Sequence, residues 1–199
     1  MLRRVVAVVT LLAERGLAFR GDNQTIGSPN NGNFLGVLEL VAQFDPFLAK
    51  HIEDFGNAGR GTPSYFSSTI IEEFIDIMAQ QVRQTIVQEV AAAKYFFVSV
   101  DSTPDLTHVD QLTVIVRYCL NGEVVERFLT FLQISSHKGE ELAKTLLKYL
   151  ADIGINFMDC RGQSYDNASN MSGQYNGMQA HLLRVNPLAI YIFPVLRTH

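Results

Sequence analysis

Apolar positions recur with two different periods along this chain, and the change of period divides it. Up to residue 94 they return every three to four positions, the spacing of helices that bury one stripe. Residues 3–13 carry such a stripe. The run 16–32 is rich in Gly, Asn and Pro and reads as a long turn-bearing loop. Leu35, Leu38, Val41 and Ala42 then share a face over 34–44, with Asn33 placed to cap it. Pro46 opens a short helix to about residue 53. A second loop, 56–64, precedes the longest pattern. Thr69-Ile70-Ile71-Glu72 spells a capping box, and Ile71, Phe74, Ile75, Met78, Val82, Ile86 and Val90 form one core stripe up to Ala93.

From residue 95 the period shortens to two. Residues 95–100 are aromatic and β-branched, short enough for a buried strand. Leu112, Val114, Val116 and Tyr118 alternate with Thr113, Ile115 and Arg117, and Asn121-Gly122 is a type I′ turn dipeptide leading into a partner strand over 124–134. Residues 139–153 return to helical spacing and stop at Gly154. A strand over 155–165, irregular at Arg161-Gly162-Gln163, a helix over 168–183 and a short strand over 189–193 complete the pattern, with Pro187 as breaker. The expected fold is α/β: a helical region over 1–94, then a mixed sheet in the order β-β-β-α-β-α-β over 95–199.

Composition narrows the function. With 199 residues, 47% hydrophobic, the chain is long enough for a sizeable core. A net charge of −4 and no Lys/Arg run longer than Arg3-Arg4 give none of the basic footprint of an autonomous nucleic-acid binder. Cys119 and Cys160 stand in no CxxC or CxxH pairing and are expected as free thiols in or near the core of a protein from a reducing compartment. The start of the chain imitates a signal peptide, but no small-x-small cleavage site follows and the apolar run is too short for a bilayer. An amphipathic helix, a nuclear or cytoplasmic location and no membrane contact are expected. The sequons at Asn23, Asn167 and Asn170 are then chance matches.

Two strand ends carry the candidate chemistry. Phe96-Phe97-Val98-Ser99-Val100 runs into Asp101-Ser102-Thr103, and Gln163-Ser164-Tyr165 runs into Asp166-Asn167-Ala168-Ser169. A helical crossover between them sets the second strand parallel to the first. Adjacent strands lie about 4.8 Å apart, so Asp101 and Asp166 can share a cation, and Mg²⁺ suits hard oxygen ligands beside phosphate. The other reading stays open, because Asp ends strands and caps helices for structural reasons alone. Asp105 and Asp110 read as solvated turn residues. His108, His137 and His181 have no second ligand at zinc spacing and read as surface or loop side chains. Lys94, Arg117 and Arg161 are isolated cations that could meet phosphate.

Asp101-Ser102-Thr103-Pro104-Asp105, Asp110-Gln111-Leu112-Thr113 and above all the run 160–173, Cys-Arg-Gly-Gln-Ser-Tyr-Asp-Asn-Ala-Ser-Asn-Met-Ser-Gly, resemble hAT-superfamily transposases. The nearest group is the transposon-derived zinc-finger MYM-type-like and TTF-type zinc-finger proteins. Residues 14–21 and 30–35 are similar to the same group. The resemblance implies a ribonuclease H-like fold in which an acidic triad binds divalent metal and drives DNA cleavage and joining, with Asp101 and Asp166 as its first two members. The third, a glutamate on a later helix, the DNA-bringing zinc finger and the dimerisation segment have no counterpart in these residues. An inactive remnant of a catalytic core is therefore expected, with DNA as partner of the ancestor. The alternative is a non-catalytic module that binds protein through Phe34, Leu38 and Phe47. The group continues its last strand with Pro-Cys-x-x-His, where this chain reads Pro194-Val195-Leu196-Arg197-Thr198-His199. One coding of those residues gives Pro-Cys-Phe-Ala-His in the neighbouring frame, which predicts a frameshift or an imperfect gene model there.

Overall fold

The computed structural model describes residues 1–57, 64–104, 110–165 and 168–192 and divides into two compact units, residues 1–81 and 82–199. The first unit is helical, with α1 (Leu2–Glu14), α2 (Gly32–Ala42), α3 (Pro46–Phe55) and the first part of α4 (Ser68–Ala93). Val5, Val8, Val9 and Leu12 of α1 pack with Phe34, Leu35 and Leu38 of α2 and Leu48 of α3. The apolar start of the chain is thus one face of a helix feeding a core. Phe34 and Leu38, expected on a partner surface, are in that core because α2 lies against both α1 and α3; of the three, only Phe47 is exposed.

Local chemistry sets the helix starts, and it differs from expectation in two places. α2 begins at Gly32, one residue before the expected cap, and Asn33 donates from Nδ2 to the Ala18 carbonyl at 2.7 Å. Gly32 has φ of +84° and lies against the backbone of Gly21, where a Cβ on either would come within 2.3 Å of the other's amide nitrogen. α4 begins at Ser68, which puts Thr69 inside the helix. Ser67 Oγ accepts from the Ile70 amide, and Glu72 pairs with Arg20 instead of closing a capping box. α3 follows the rule: Pro46 stands at its start, and Asp45 Oδ1 accepts from the Leu48 amide at 3.1 Å.

The long stripe of α4 serves two cores. Ile71, Phe74, Ile75 and Met78 pack in the first, Ile86 and Val90 in the second. Val82, expected to continue the stripe, is 60% exposed. It falls where one core has ended and the next has not begun.

The second unit is built on a five-stranded sheet in the order β3-β2-β1-β4-β5, with β1 (Phe96–Pro104), β2 (Asp110–Leu120), β3 (Glu123–Gln133), β4 (Cys160–Tyr165) and β5 (Ile190–Tyr191). β1, β2 and β3 pair antiparallel; β4 runs parallel to β1, and β5 parallel to β4. α5 (Gly139–Asp152) joins β3 to β4, and α6 (Ser169–Ser172) and α7 (Met178–Val185) join β4 to β5. This is the mixed α/β order read from the sequence. Asn121 and Gly122 both have positive φ, 53° and 84°, as a type I′ turn requires. Phe96, Val98 and Val100 of β1 and Leu112, Val114, Val116 and Tyr118 of β2 bury one sheet face with Leu142, Leu146 and Leu150 of α5 and Leu182 of α7.

The helix expected over 168–183 is broken into α6 and α7. Gly173 and Gly177 form the break: the Gly177 amide donates to the Gly173 carbonyl at 2.9 Å, and a Cβ on Gly177 would meet Gly173 backbone at 2.4 Å. Among the described residues no helix is long and apolar enough to cross a membrane.

A candidate metal-binding edge of the sheet

β1 and β4 are neighbours, with Val100 opposite Tyr165. Both side chains are buried, so both point to the core face, and strand alternation turns the next position on β1 to the other face. That position is Asp101, exposed near the carboxyl end of β1. On β4 the next position is Asp166, which lies outside the described residues, as do Asp105 and His108.

The end of β4 is held by polar contacts that the hydrophobic pattern does not reveal. Gln163 is buried; its Nε2 donates to the Ala189 carbonyl at 2.8 Å and the Gln179 carbonyl at 3.3 Å, and its Oε1 accepts from the Tyr165 hydroxyl at 2.5 Å. Tyr165 stacks on Tyr191 with 6.1 Å between centroids. Burial pushes its phenol well above the ordinary value. At the other end of β4, fully buried Asn186 donates from Nδ2 to the Phe157 and Cys160 carbonyls, each at 2.8 Å. Buried polar groups matched in this way fix register, because each unmatched one costs about 1–3 kcal/mol.

The irregularity expected at 161–163 is a bulge: Phe96 pairs with Cys160 and Phe97 with Gly162, leaving Arg161 as the extra residue. The Arg161 guanidinium sits 4.2 Å over the Tyr95 ring and donates to the Met158 and Cys160 carbonyls. It is tied down by its own strand. Cys160 is buried, as expected, but Cys119 is exposed because it falls on the face of β2 opposite the core.

Asp110, expected in a turn, is the first residue of β2 and lies opposite Pro104 at the same end of the sheet as Asp101. Its Oδ2 meets His137 Nε2 at 2.8 Å. His137 also lines an open polar cleft of about 540 Å³ with Lys138, Glu140, Asn170, Tyr175 and His181. The Lys144 ammonium holds the Glu140 carboxyl below its ordinary range, with His181 and Arg184 adding to the effect. The Asp–His pair was invisible in sequence, since its members stand 27 residues apart.

A carboxylate exposed at a strand end, with room for water, fits a hard divalent cation. Among the described residues no three His, Cys, Asp or Glu side chains are close enough to hold a metal ion. Any cation at this edge would therefore draw on Asp101 together with residues beyond that set.

An antiparallel three-strand meander extended by parallel strands on the far side of its first strand is the arrangement of a ribonuclease-like α/β domain. The chain belongs to the DUF4371 family, described as the ZMYM1/FAM200 RNase-like domain, whose model matches residues 1–177. It is similar to the 52 kDa repressor of the inhibitor of the protein kinase of Mus musculus, 25% identical over 195 residues that cover 96% of this chain and 25% of that protein. Its counterpart in Homo sapiens is 26% identical over 128 residues, 64% of this chain and 17% of that protein. The chain thus spans a quarter or less of these relatives.

Proposed function

We propose that the α/β unit descends from the catalytic core of a hAT-type DNA transposase, and that Asp101 and Asp166 are the first two carboxylates of its divalent-metal site. The observation that carries this reading is the parallel β1–β4 pairing with Val100 opposite Tyr165, one residue before each aspartate. Membership of an RNase-like family over residues 1–177 supports it. Magnesium, when bound, supplies a water of lowered pKa and positive charge against phosphodiester oxygens. The protein's share is to present two carboxylates whose mutual repulsion a cation relieves. Two ligands hold a cation loosely, so this chain binds magnesium without cutting DNA.

Magnesium or manganese is expected to raise the melting temperature, by the equivalent of about 2.7 kcal/mol at a hundredfold excess over Kd. The rise should vanish in Asp101→Asn and in Asp166→Asn. No rise in the unaltered protein would remove the site. With end-bearing DNA and magnesium no cleavage is expected; robust cutting lost in Asp166→Ala would overturn the assignment of inactivity.

A second reading, a non-catalytic module of a nuclear regulatory protein, draws on the relatives' name, which describes a repressor. The same titration separates the two. A metal-dependent shift lost with either aspartate supports the retained site, and its absence supports the module.

A further inference from the structure

Core positions of a strand are ordinarily apolar, and β4 departs from that rule just before the candidate edge. Gln163 and Tyr165 stand two residues apart, so they share the core face of the strand, and they are 1% and 2% exposed. Their register partners on β1 are Val98 and Val100. The Gln163 amide joins three elements: Nε2 donates to the Gln179 carbonyl of α7 and to the Ala189 carbonyl just before β5, while Oε1 accepts from the Tyr165 hydroxyl. The Tyr165 ring lies against Tyr191 of β5 with 10° between the ring planes. Stability does not demand this arrangement, because an apolar pair of the same shape can replace two hydrogen-bonded partners at nearly equal free energy. What an apolar pair cannot do is fix direction. Packing alone lets a strand end rock, whereas a ring held at its tip and on its face does not.

We propose that Gln163 and Tyr165 are positioning residues for the candidate metal edge. Tyr165 is the residue before Asp166 and lies opposite Val100, the residue before Asp101. The tether therefore holds the strand end from which the chain enters position 166. This inference rests on the reading of Asp101 and Asp166 as metal ligands. It adds that their affinity for a cation depends on a buried amide and a buried phenol, on the side of the sheet opposite Asp101.

The test compares the two ends of β4. Mn²⁺ is titrated into the full chain, and the electron paramagnetic resonance of the free ion reads its affinity. Tyr165→Phe should weaken binding by about tenfold or more, as loss of a supporting hydrogen bond does at metal sites. Asn186→Ser removes the buried amide at the other end of the strand and should lower the metal-free melting temperature without changing the affinity. If that variant does not fold, Cys160→Ala, at the same end, takes its place. A second readout needs no metal: in a Cys119→Ser background, the disulfide between Asp101→Cys and Asp166→Cys should form several-fold more slowly once Tyr165→Phe is added. Unchanged affinity in Tyr165→Phe would overturn the inference and leave the metal site standing. Equal losses in the Tyr165 and Asn186 variants would also overturn it, since the effect would then follow stability. If the unaltered protein binds no Mn²⁺, the metal site itself falls, and the disulfide rates decide alone: equal rates with and without the Tyr165 hydroxyl overturn the positioning role.

Discussion

Burial separates the two thiols of this protein more sharply than their sequence contexts do. Cys160 opens β4 beside Phe96 of β1, with its Sγ 3.2 Å from the Gly162 carbonyl oxygen, and burial pushes its pKa up to about 11 from 9.0. At pH 8 a maleimide should therefore label one thiol per native chain and two in denaturant; two in the native protein would contradict the placement of Cys160. The same shift has a consequence for stability. A group protonated more tightly in the folded state contributes fully below its unfolded pKa and loses that contribution as pH rises through the folded one. The melting temperature should accordingly fall between about pH 9 and pH 11, and Cys160→Ala should flatten that part of the profile. Tyr118, pushed up to about 12 by burial and the neighbouring Glu89, continues the decline at higher pH. Little of this was legible beforehand: Cys119 sits between Tyr118 and Leu120 and Cys160 between Asp159 and Arg161, the reverse of their burial, and only strand register tells which one faces solvent.

Elements whose boundaries depend on periodicity follow the sequence more closely than those set by backbone contact, although the strand expected over 155–165 begins only at Cys160, after a 3-10 turn at Phe157–Asp159. The hairpin turn at Asn121-Gly122 and the stop of α5 before Gly154 rest on positive φ, which is written in the residue type. The break between α6 and α7 rests on a close approach of two glycines, and Gly139 of α5 packs on the same turn, where a Cβ would come 2.4 Å from the Asn176 carbonyl oxygen. Such a contact carries no periodic signal. Gly177→Ala should therefore destabilise by about 1–3 kcal/mol, since backbone must move to admit the methyl group. Gly36→Ala in α2, where the nearest atom is 3.9 Å away, should be neutral or stabilise by up to about 1 kcal/mol. Chemical denaturation of the two variants measures both, and equal midpoints would contradict the packing of the α6–α7 turn. The polar tethers of Gln163 and Asn186 were missed for a related reason: a lone amide in a chain reads as surface until its partners are known.

For the molecule as a whole, two periods of hydrophobic pattern gave two kinds of architecture, a helical unit and an α/β unit, each with its own core. The α4 helix contributes to both, which is why its apolar stripe looked continuous and why Val82 within it is bare. Of the strand order β3-β2-β1-β4-β5, the β2–β3 hairpin and the parallel placement of β4 beside β1 were legible in sequence, while the pairing of β1 with β2 and of β5 with β4 comes from the structure. What pattern alone does not supply is the meeting of side chains across strands, and the proposed site depends on one such meeting. Neighbouring parallel strands set Cα atoms about 4.8 Å apart, inside the roughly 4.4–6.8 Å that a disulfide spans. In a Cys119→Ser background, Asp101→Cys with Asp166→Cys should oxidise to an intramolecular disulfide in the native protein, with both introduced thiols lost to labelling. If both thiols stay free under the same oxidation, the two positions do not converge and the proposed metal site is contradicted.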